Sequence, residues 1–221
     1  TGRYPVQQTR GTEMSRIFYF NITYGCNSNC VFCYSHNTQH NNSSFQEISQ
    51  FDFQNYLKEH LVTESDRVIL NGGEPLLNTQ IDDLMGCLRD IGCEVLIYSN
   101  GIRLVGGPCF VLSPRFRFIV PIHGHEALHD SITRNVGSWR KTLDGMRACF
   151  ERGGCLLDLK VILNAYMYQT TDSWEKTCAA LSKVPFNHAV HLTQMADTII
   201  SRKNGCHQIR QEVAKRYTRL L

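Results

Sequence analysis

A partial (β/α)6 barrel of the TIM type, built on a parallel sheet, is the fold this sequence predicts. Three observations predict it. Six short apolar runs rich in β-branched and aromatic residues alternate with helix-like segments, which is the pattern of parallel strands joined by crossover helices. The segments with chemical character fall just after predicted strands, the C-terminal edge where α/β folds place their sites. Six strands also fall short of the eight of a closed barrel, so one side is expected to stay open.

Each element follows from its own residues. Residues 1–15 are polar and without period, and are expected to form an extended arm. Residues 16–23 (RIFYFNIT) predict a buried strand, and the stretch at 35–50 a polar loop of the length usually tied to function. Helices are predicted over 52–62 and 79–91, with strands at 67–71 (RVILN) and 94–99 (EVLIYS). Residues 116–122 (FRFIVPI) predict the fourth strand. A helix over 138–152 should stop at Gly153-Gly154. The run 155–163 (CLLDLKVIL) predicts a fifth strand, 172–183 a helix, 188–195 a sixth strand and 206–220 a final helix. No linker divides the chain, so 1–221 is expected to be one domain: arm, barrel core over 16–200, and C-terminal helix over 201–221.

The composition excludes several classes. The 221 residues are 42% hydrophobic and 19% charged, which fits a globular core and not a disordered or fibrous chain. Net charge is only +3. The basic residues concentrate only at Arg210, Lys215, Arg216 and Arg219, which at helical spacing form a solvated face, so no nucleic-acid partner is expected. No apolar run reaches the roughly 18 residues of a membrane span, and no signal peptide is expected. Three of the ten cysteines crowd into Cys26–Cys33 and the others are scattered singly, unlike a secreted disulfide framework. A reducing, cytoplasmic compartment is therefore expected.

That cysteine cluster carries the chemistry. Cys26, Cys30 and Cys33 follow the first strand with the spacing C-x3-C-x2-C. Three thiolates on one tight loop suit three irons of a cubane, leaving a fourth iron open. Gly25 lets the chain turn into the loop, and Phe32 shields the metal. The alternative is zinc, with His36 completing a Cys3His set. Zinc structural sites favour two C-x2-C pairs, and no second pair exists, so iron–sulfur is preferred.

C-x3-C-x-aromatic-C after a first strand resembles the signature of the radical S-adenosylmethionine (SAM) superfamily. The resemblance implies a 4Fe–4S cluster whose open iron chelates SAM. It implies reductive cleavage of SAM to methionine and a 5′-deoxyadenosyl radical, which takes hydrogen from a substrate. An electron donor such as flavodoxin or ferredoxin would then be needed. The later strands extend the match over about residues 16–200. Asn71-Gly72-Gly73-Glu74-Pro75 is similar to the family's GGEP motif: two glycines allow close backbone approach, and Glu74 offers an acceptor to the SAM ammonium. Tyr98-Ser99-Asn100-Gly101 resembles a T-N-G motif of the peptide-maturase and molybdopterin-precursor branches, placing Ser99 and Asn100 near SAM; an Asn-Gly turn is the plain alternative. The stretch from Pro121 to Trp139 matches a further family pattern. There Arg134 aligns with an arginine that meets the SAM carboxylate, and His129-Asp130 forms a helix-end pair. The usual serine at its start is Pro121. Asn164, after the fifth strand, and Met195, ending the sixth, are placed by the same resemblance near ribose, adenine or substrate.

The substrate is left open. His123 and His125, at a strand end, suit substrate binding or proton transfer. Tyr24 is either a wall or a radical relay. Cys109 is either a hydrogen-atom donor or a buried inert thiol. With Cys178 and Cys206 isolated, one cluster is expected and no auxiliary-cluster domain. A small molecule of specialised metabolism is favoured as substrate, a ribosomal peptide stands second, and a non-catalytic redox-sensing metal protein third.

Overall fold

The computed structural model describes residues 15–33, 47–106, 113–168 and 170–194. The expected arm, most of the polar loop, Cys109, Met195 and the C-terminal helix lie outside these residues.

Six strands form one sheet in the order β1-β2-β3-β4-β5-β6, every neighbouring pair parallel. They are β1 (Ile17–Thr23), β2 (Arg67–Gly72), β3 (Glu94–Tyr98), β4 (Phe116–Ile122), β5 (Leu156–Leu163) and β6 (Val190–Gln194). Strands β1 and β6 are not paired to each other, so the barrel is open among the described residues. The helices are α1 (Gln50–Glu59), α2 (Ile81–Ile91), α3 (Glu126–Thr133), α4 (Ser138–Arg152) and α5 (Thr171–Leu181). The α4 helix spans the range its sequence predicts, and the other boundaries move by up to three residues. Helix α3 was not predicted. It begins just after Gly124, is only two turns long, and its sequence EALHDSIT has too little apolar period to stand out.

Alternation along the strands sorts residues to two faces. One face packs on the helices: Val68, Leu70, Val95, Ile97, Phe118, Val120 and Leu159 meet Phe53, Leu84, Met85 and Met146 in the main core. The other face is the barrel interior. It holds a small apolar cluster of Ile69, Leu96 and Ile119 with Tyr98 against it. Toward the N-terminal end of this face, Glu94 bridges Arg67 at 2.6 Å and Arg117 at 3.2 Å, covering the barrel floor with paired charge.

A latch fixes the start of β1. The Asp66 carboxylate, 2% exposed, accepts from Arg16 Nε at 3.0 Å, from the Arg16 guanidinium at 2.7 Å and from the Thr63 amide at 2.8 Å. The Arg16 guanidinium holds its carboxyl well below the usual carboxylate range, against the opposing effect of burial. A depressed folded-state value contributes stability above the ordinary carboxylate pKa of about 4, and that contribution is lost as pH falls below it. Asp66→Asn is expected to cost on the order of 1–3 kcal/mol at pH 7, measured by urea unfolding. The difference from wild type should shrink as pH is lowered through 4 toward 2; an equal difference throughout would rule out the latch.

Candidate active site

The site is built where β1, β2, β3 and β4 end. After Thr23 the chain enters the cysteine loop, and the turn after β2 is laid directly on it. The Gly73 amide donates to Thr23 O and the Glu74 amide to Gly25 O, both at 2.8 Å. This contact explains both glycines. Gly72 has φ +129°, and a Cβ there would lie 2.1 Å from Thr23 O. A Cβ on Gly73 would lie 2.2 Å from Gly25 O and 2.6 Å from Tyr24 O. The sequence suggested close approach to a ligand; here the close approach is backbone on backbone, and it sets the height of the cysteine loop.

Glu74 links this turn to β3. Its side chain is 1% exposed. One oxygen accepts from Ser99 Oγ at 2.8 Å and Leu76 N at 3.1 Å, the other from Asn100 N at 2.7 Å. Burial raises the carboxyl to a pKa of about 7, despite the hydrogen bonds from Asn100, Ser99 and Leu76 that lower it. Asn100 then reaches back, donating from Nδ2 to Asn27 Oδ1 at 2.6 Å inside the cysteine loop. Gly72, Gly73, Glu74, Ser99 and Asn100 thus form one connected unit with the cysteine loop at Gly25 and Asn27.

The far side of the loop is held by the end of α3. Asn29 N and Val31 N donate to the carbonyls of Thr133 and Ile132, each at 2.9 Å. Asn135 Nδ2 donates to Asn27 O at 2.8 Å. Between them stands Arg134, exposed, in the left-handed region at φ +50°. For a non-glycine residue that costs on the order of 1 kcal/mol, accepted here because the residue caps α3. Asp130 ties the next segment down, accepting from Gly137 N at 2.6 Å, Trp139 N at 2.7 Å and Ser138 Oγ at 2.9 Å. It joins the end of α3 to the first turn of α4.

His123, after β4, is 3% exposed. Its ring meets Phe32 edge-on at 5.0 Å and stacks on His129 at 5.2 Å. Burial drives its pKa well below the ordinary histidine value, and the neighbouring His129 acts in the same direction. Its Nδ1 has no hydrogen-bond partner among the described residues. His125 is separated from it, facing an outer groove with Glu126, Trp139, Arg147 and Lys176. Asn164 is fully buried: Nδ2 donates to the His123 and Ile162 carbonyls at 3.0 and 3.1 Å, and Oδ1 accepts from Met167 N at 3.3 Å. Its amide is occupied in joining β4 to β5. Tyr24 is half-buried between Thr23 and the cysteine loop.

The thiols of Cys26, Cys30 and Cys33 are free and half-buried. Burial pushes Cys26 up to about 11 and Cys30 up to about 12; the other thiolates of the loop add to both. His36, the fourth ligand a zinc site would take, lies outside the described residues. Thiols spread along one loop suit a cubane, in which each thiolate takes its own iron. The three thiols suit a 4Fe–4S cluster, and Arg134, Asn100 and the Gly73 turn lie on the loop's flanks.

Residues 20–181 match the Radical SAM superfamily model. The chain belongs to the radical SAM superfamily. That superfamily uses a 4Fe–4S cluster and SAM. Over 140 residues the chain is 29% identical to the AdoMet-dependent heme synthase of Methanosarcina barkeri, covering 61% of this chain and 39% of that protein. Over 151 residues it is 26% identical to the pre-heme d1 synthase of Dinoroseobacter shibae, covering 67% and 37%. The chain thus spans under half the length of these relatives. Its fold is similar to that of Streptococcus suis SuiB, solved bound to the precursor peptide SuiA, with TM-score 0.63 and 11% identity over 92% of this chain and 45% of that one.

Sequence reasoning gave Asp130 a structural role at a helix end but passed over Asn27 and Asn135, which lock the loop in place. Their only sequence signal is that small polar side chains favour turns and helix starts. Gly73→Ala is expected to lower iron content after anaerobic reconstitution at least twofold while far-ultraviolet circular dichroism stays near wild type; unchanged iron would refute the backbone contact. Glu74→Gln sets an amide N–H2 against donors and should cost about 1–3 kcal/mol in thermal or urea unfolding.

Proposed function

We propose that this chain is a radical SAM enzyme that reductively cleaves SAM and takes hydrogen from a small-molecule substrate of specialised metabolism. One observation carries the reading: the three-thiol loop is fastened by backbone hydrogen bonds to the Gly72-Gly73-Glu74 turn and by Asn100 to β3. A loop that only held a structural metal would not need a buried carboxylate and two glycines pressed against it.

The residues have separate tasks. Cys26, Cys30 and Cys33 hold the cluster. When bound, the cluster supplies the single electron that cleaves SAM to methionine and the 5′-deoxyadenosyl radical. Gly72, Gly73 and Glu74, with Ser99 and Asn100, form the wall that receives the methionyl end of SAM. Arg134, exposed beside the loop, offers a guanidinium to its carboxylate. Asn164 acts through β4, fixing the strand end from which His123 backs Phe32. His123 backs the loop through Phe32, and its Nδ1, without a partner among the described residues, is the atom that would meet substrate or take a proton. Met195 and Cys109 lie outside the described residues: the family resemblance implies a place near adenine or substrate for Met195, and Cys109 stands as either a hydrogen-atom donor or an inert thiol. Tyr24 forms part of the wall.

A small molecule is supported by the relatives matched in sequence, which are named for synthesis of heme and of pre-heme d1. A peptide is the second reading. SuiB was solved with its precursor peptide, and the stretch from Pro121 to Trp139 follows the maturase pattern. A non-catalytic zinc or iron–sulfur sensor is disfavoured by the fastening of the loop to the Gly73 turn. The electron donor is a flavodoxin or ferredoxin. Free thiols at all eight described cysteines suit the cytoplasm. No helix among the described residues is long and apolar enough to cross a membrane.

The reading is tested by anaerobic reconstitution followed by SAM and dithionite. Formation of 5′-deoxyadenosine is expected, and an intact cluster with no cleavage would overturn the proposal. Cys30→Ala should lose most of its iron and lower cleavage at least tenfold.

A further inference from the structure

We propose that Lys160, with His191 beside it, binds a carboxylate of the substrate on the inner face of the barrel. The inference rests on the enzyme reading above and adds a substrate class to it. In the strand register, Lys160 pairs with Pro121 on one side and with His191 on the other. Those three residues share a row on the inner face. Pro121 is two residues before His123, whose ring packs on Phe32 of the cysteine loop. The row therefore lies toward the strand ends from which the cysteine loop and His123 emerge.

Lys160 is unusual on this wall. It is half-buried, and its Nζ lies 5.1 Å from the centre of the Tyr98 ring. Among the described residues no carboxylate pairs with it. The nearest acid in the register is Asp158, which shares the next row with Ile119 and Tyr98. Asp158 is fully buried, and both its oxygens are taken: His188 Nδ1 is 2.7 Å from one and His191 Nε2 is 2.6 Å from the other, with Ala189 N donating at 3.2 Å. The Glu94 carboxylate is paired to Arg67 and Arg117. Burying an ammonium without a counter-charge is costly, and a ligand anion relieves that cost.

Asp158 also decides what His191 offers. The His191 Nε2 lies 2.6 Å from the buried carboxylate, which holds the ring in place, as second-sphere carboxylates do for working histidines. His191 is a positioning partner, and Lys160 the anchor. Below them the inner face is apolar, with Ile69, Leu96 and Ile119 under Tyr98. The ligand matching this wall has an apolar body and a carboxylate at its rim. A phosphate is matched less well: phosphate sites bring several N–H donors, an arginine fork or a helix N-terminus, and this wall offers one ammonium and one imidazole.

The test uses the full chain with its cluster reconstituted anaerobically and SAM present. The probe is coproporphyrin III, an apolar macrocycle carrying several carboxylates, followed by its fluorescence. Saturable binding to wild type is expected. Lys160→Met should weaken it about tenfold or more, the loss of a hydrogen bond to a charged group. Lys160→Arg should retain most of it, and His191→Asn should weaken it by a smaller factor. SAM affinity, measured by isothermal titration, should be the same in all four proteins. The proposal is overturned if wild type shows no saturable binding or if Lys160→Met binds as well as wild type. It is also overturned if Lys160→Met loses SAM affinity, which would assign the ammonium to the SAM carboxylate. Stronger competition by pyrophosphate than by glutarate would assign the site to phosphate and overturn the carboxylate. Cleavage of SAM by dithionite without probe reports on the enzyme reading alone. Intact cleavage with unaltered probe binding in Lys160→Met defeats only this inference, whereas loss of cleavage in wild type defeats the reading beneath it.

Discussion

Backbone contact between the turn after β2 and the turn after β1 is the constraint on which the site depends. Two amide hydrogen bonds and two glycines bring the segments together at a distance no side chain would allow. Once that distance is set, the cysteine loop has a defined height above the sheet. The loop is then fastened from two further directions, by Asn100 from β3 and by Asn135 and the carbonyls at the end of α3. Three strands and a helix therefore position one loop, and none of these contacts depends on the cluster.

Glu74 makes this arrangement cooperative. A carboxyl group that is 1% exposed and surrounded by donors from Ser99, Asn100 and Leu76 cannot leave its place without orphaning all of them. Its raised pKa reflects what burial costs the charged form. The network ties the third strand to the second in the same region that fixes the first. Such a unit is pre-organised: the geometry is held by the fold before any ligand arrives.

Much of this was legible in the sequence because strand ends announce themselves. Apolar runs of five to eight residues followed by Gly, Asn or Cys mark both the element and the site after it. The run RVIL before NGGEP, and EVLIY before SNG, gave the strands and put the motif residues on the turns that follow them. Helix α3 was hidden because a two-turn helix after Gly124, carrying His129 and Asp130, shows too little apolar period. The glycines of the GGEP motif were expected to make room for a ligand, and make room for a neighbouring backbone. Asn164 was placed by family pattern beside the cofactor, whereas its amide is spent between β4 and β5, a role visible only once the strands are paired. Lys160 and Asp158 did leave a trace. In LLDLKVIL two charged residues stand two apart within an apolar strand, which places both on one face; which face, and opposite whom, required the register.

That dependence on register makes the hydrogen-bond ladder a measuring device. In a parallel sheet a slip by one residue turns every side chain to the other face. A single-residue insertion in β5 would keep the strand apolar and paired, yet it would rotate Lys160 into the helix-packed core and Leu159 or Val161 onto the inner wall. The six-strand frame could survive such a change while the chemistry at its mouth could not. The spacing of residues along β4, β5 and β6 therefore carries functional information that the identity of any one of them does not.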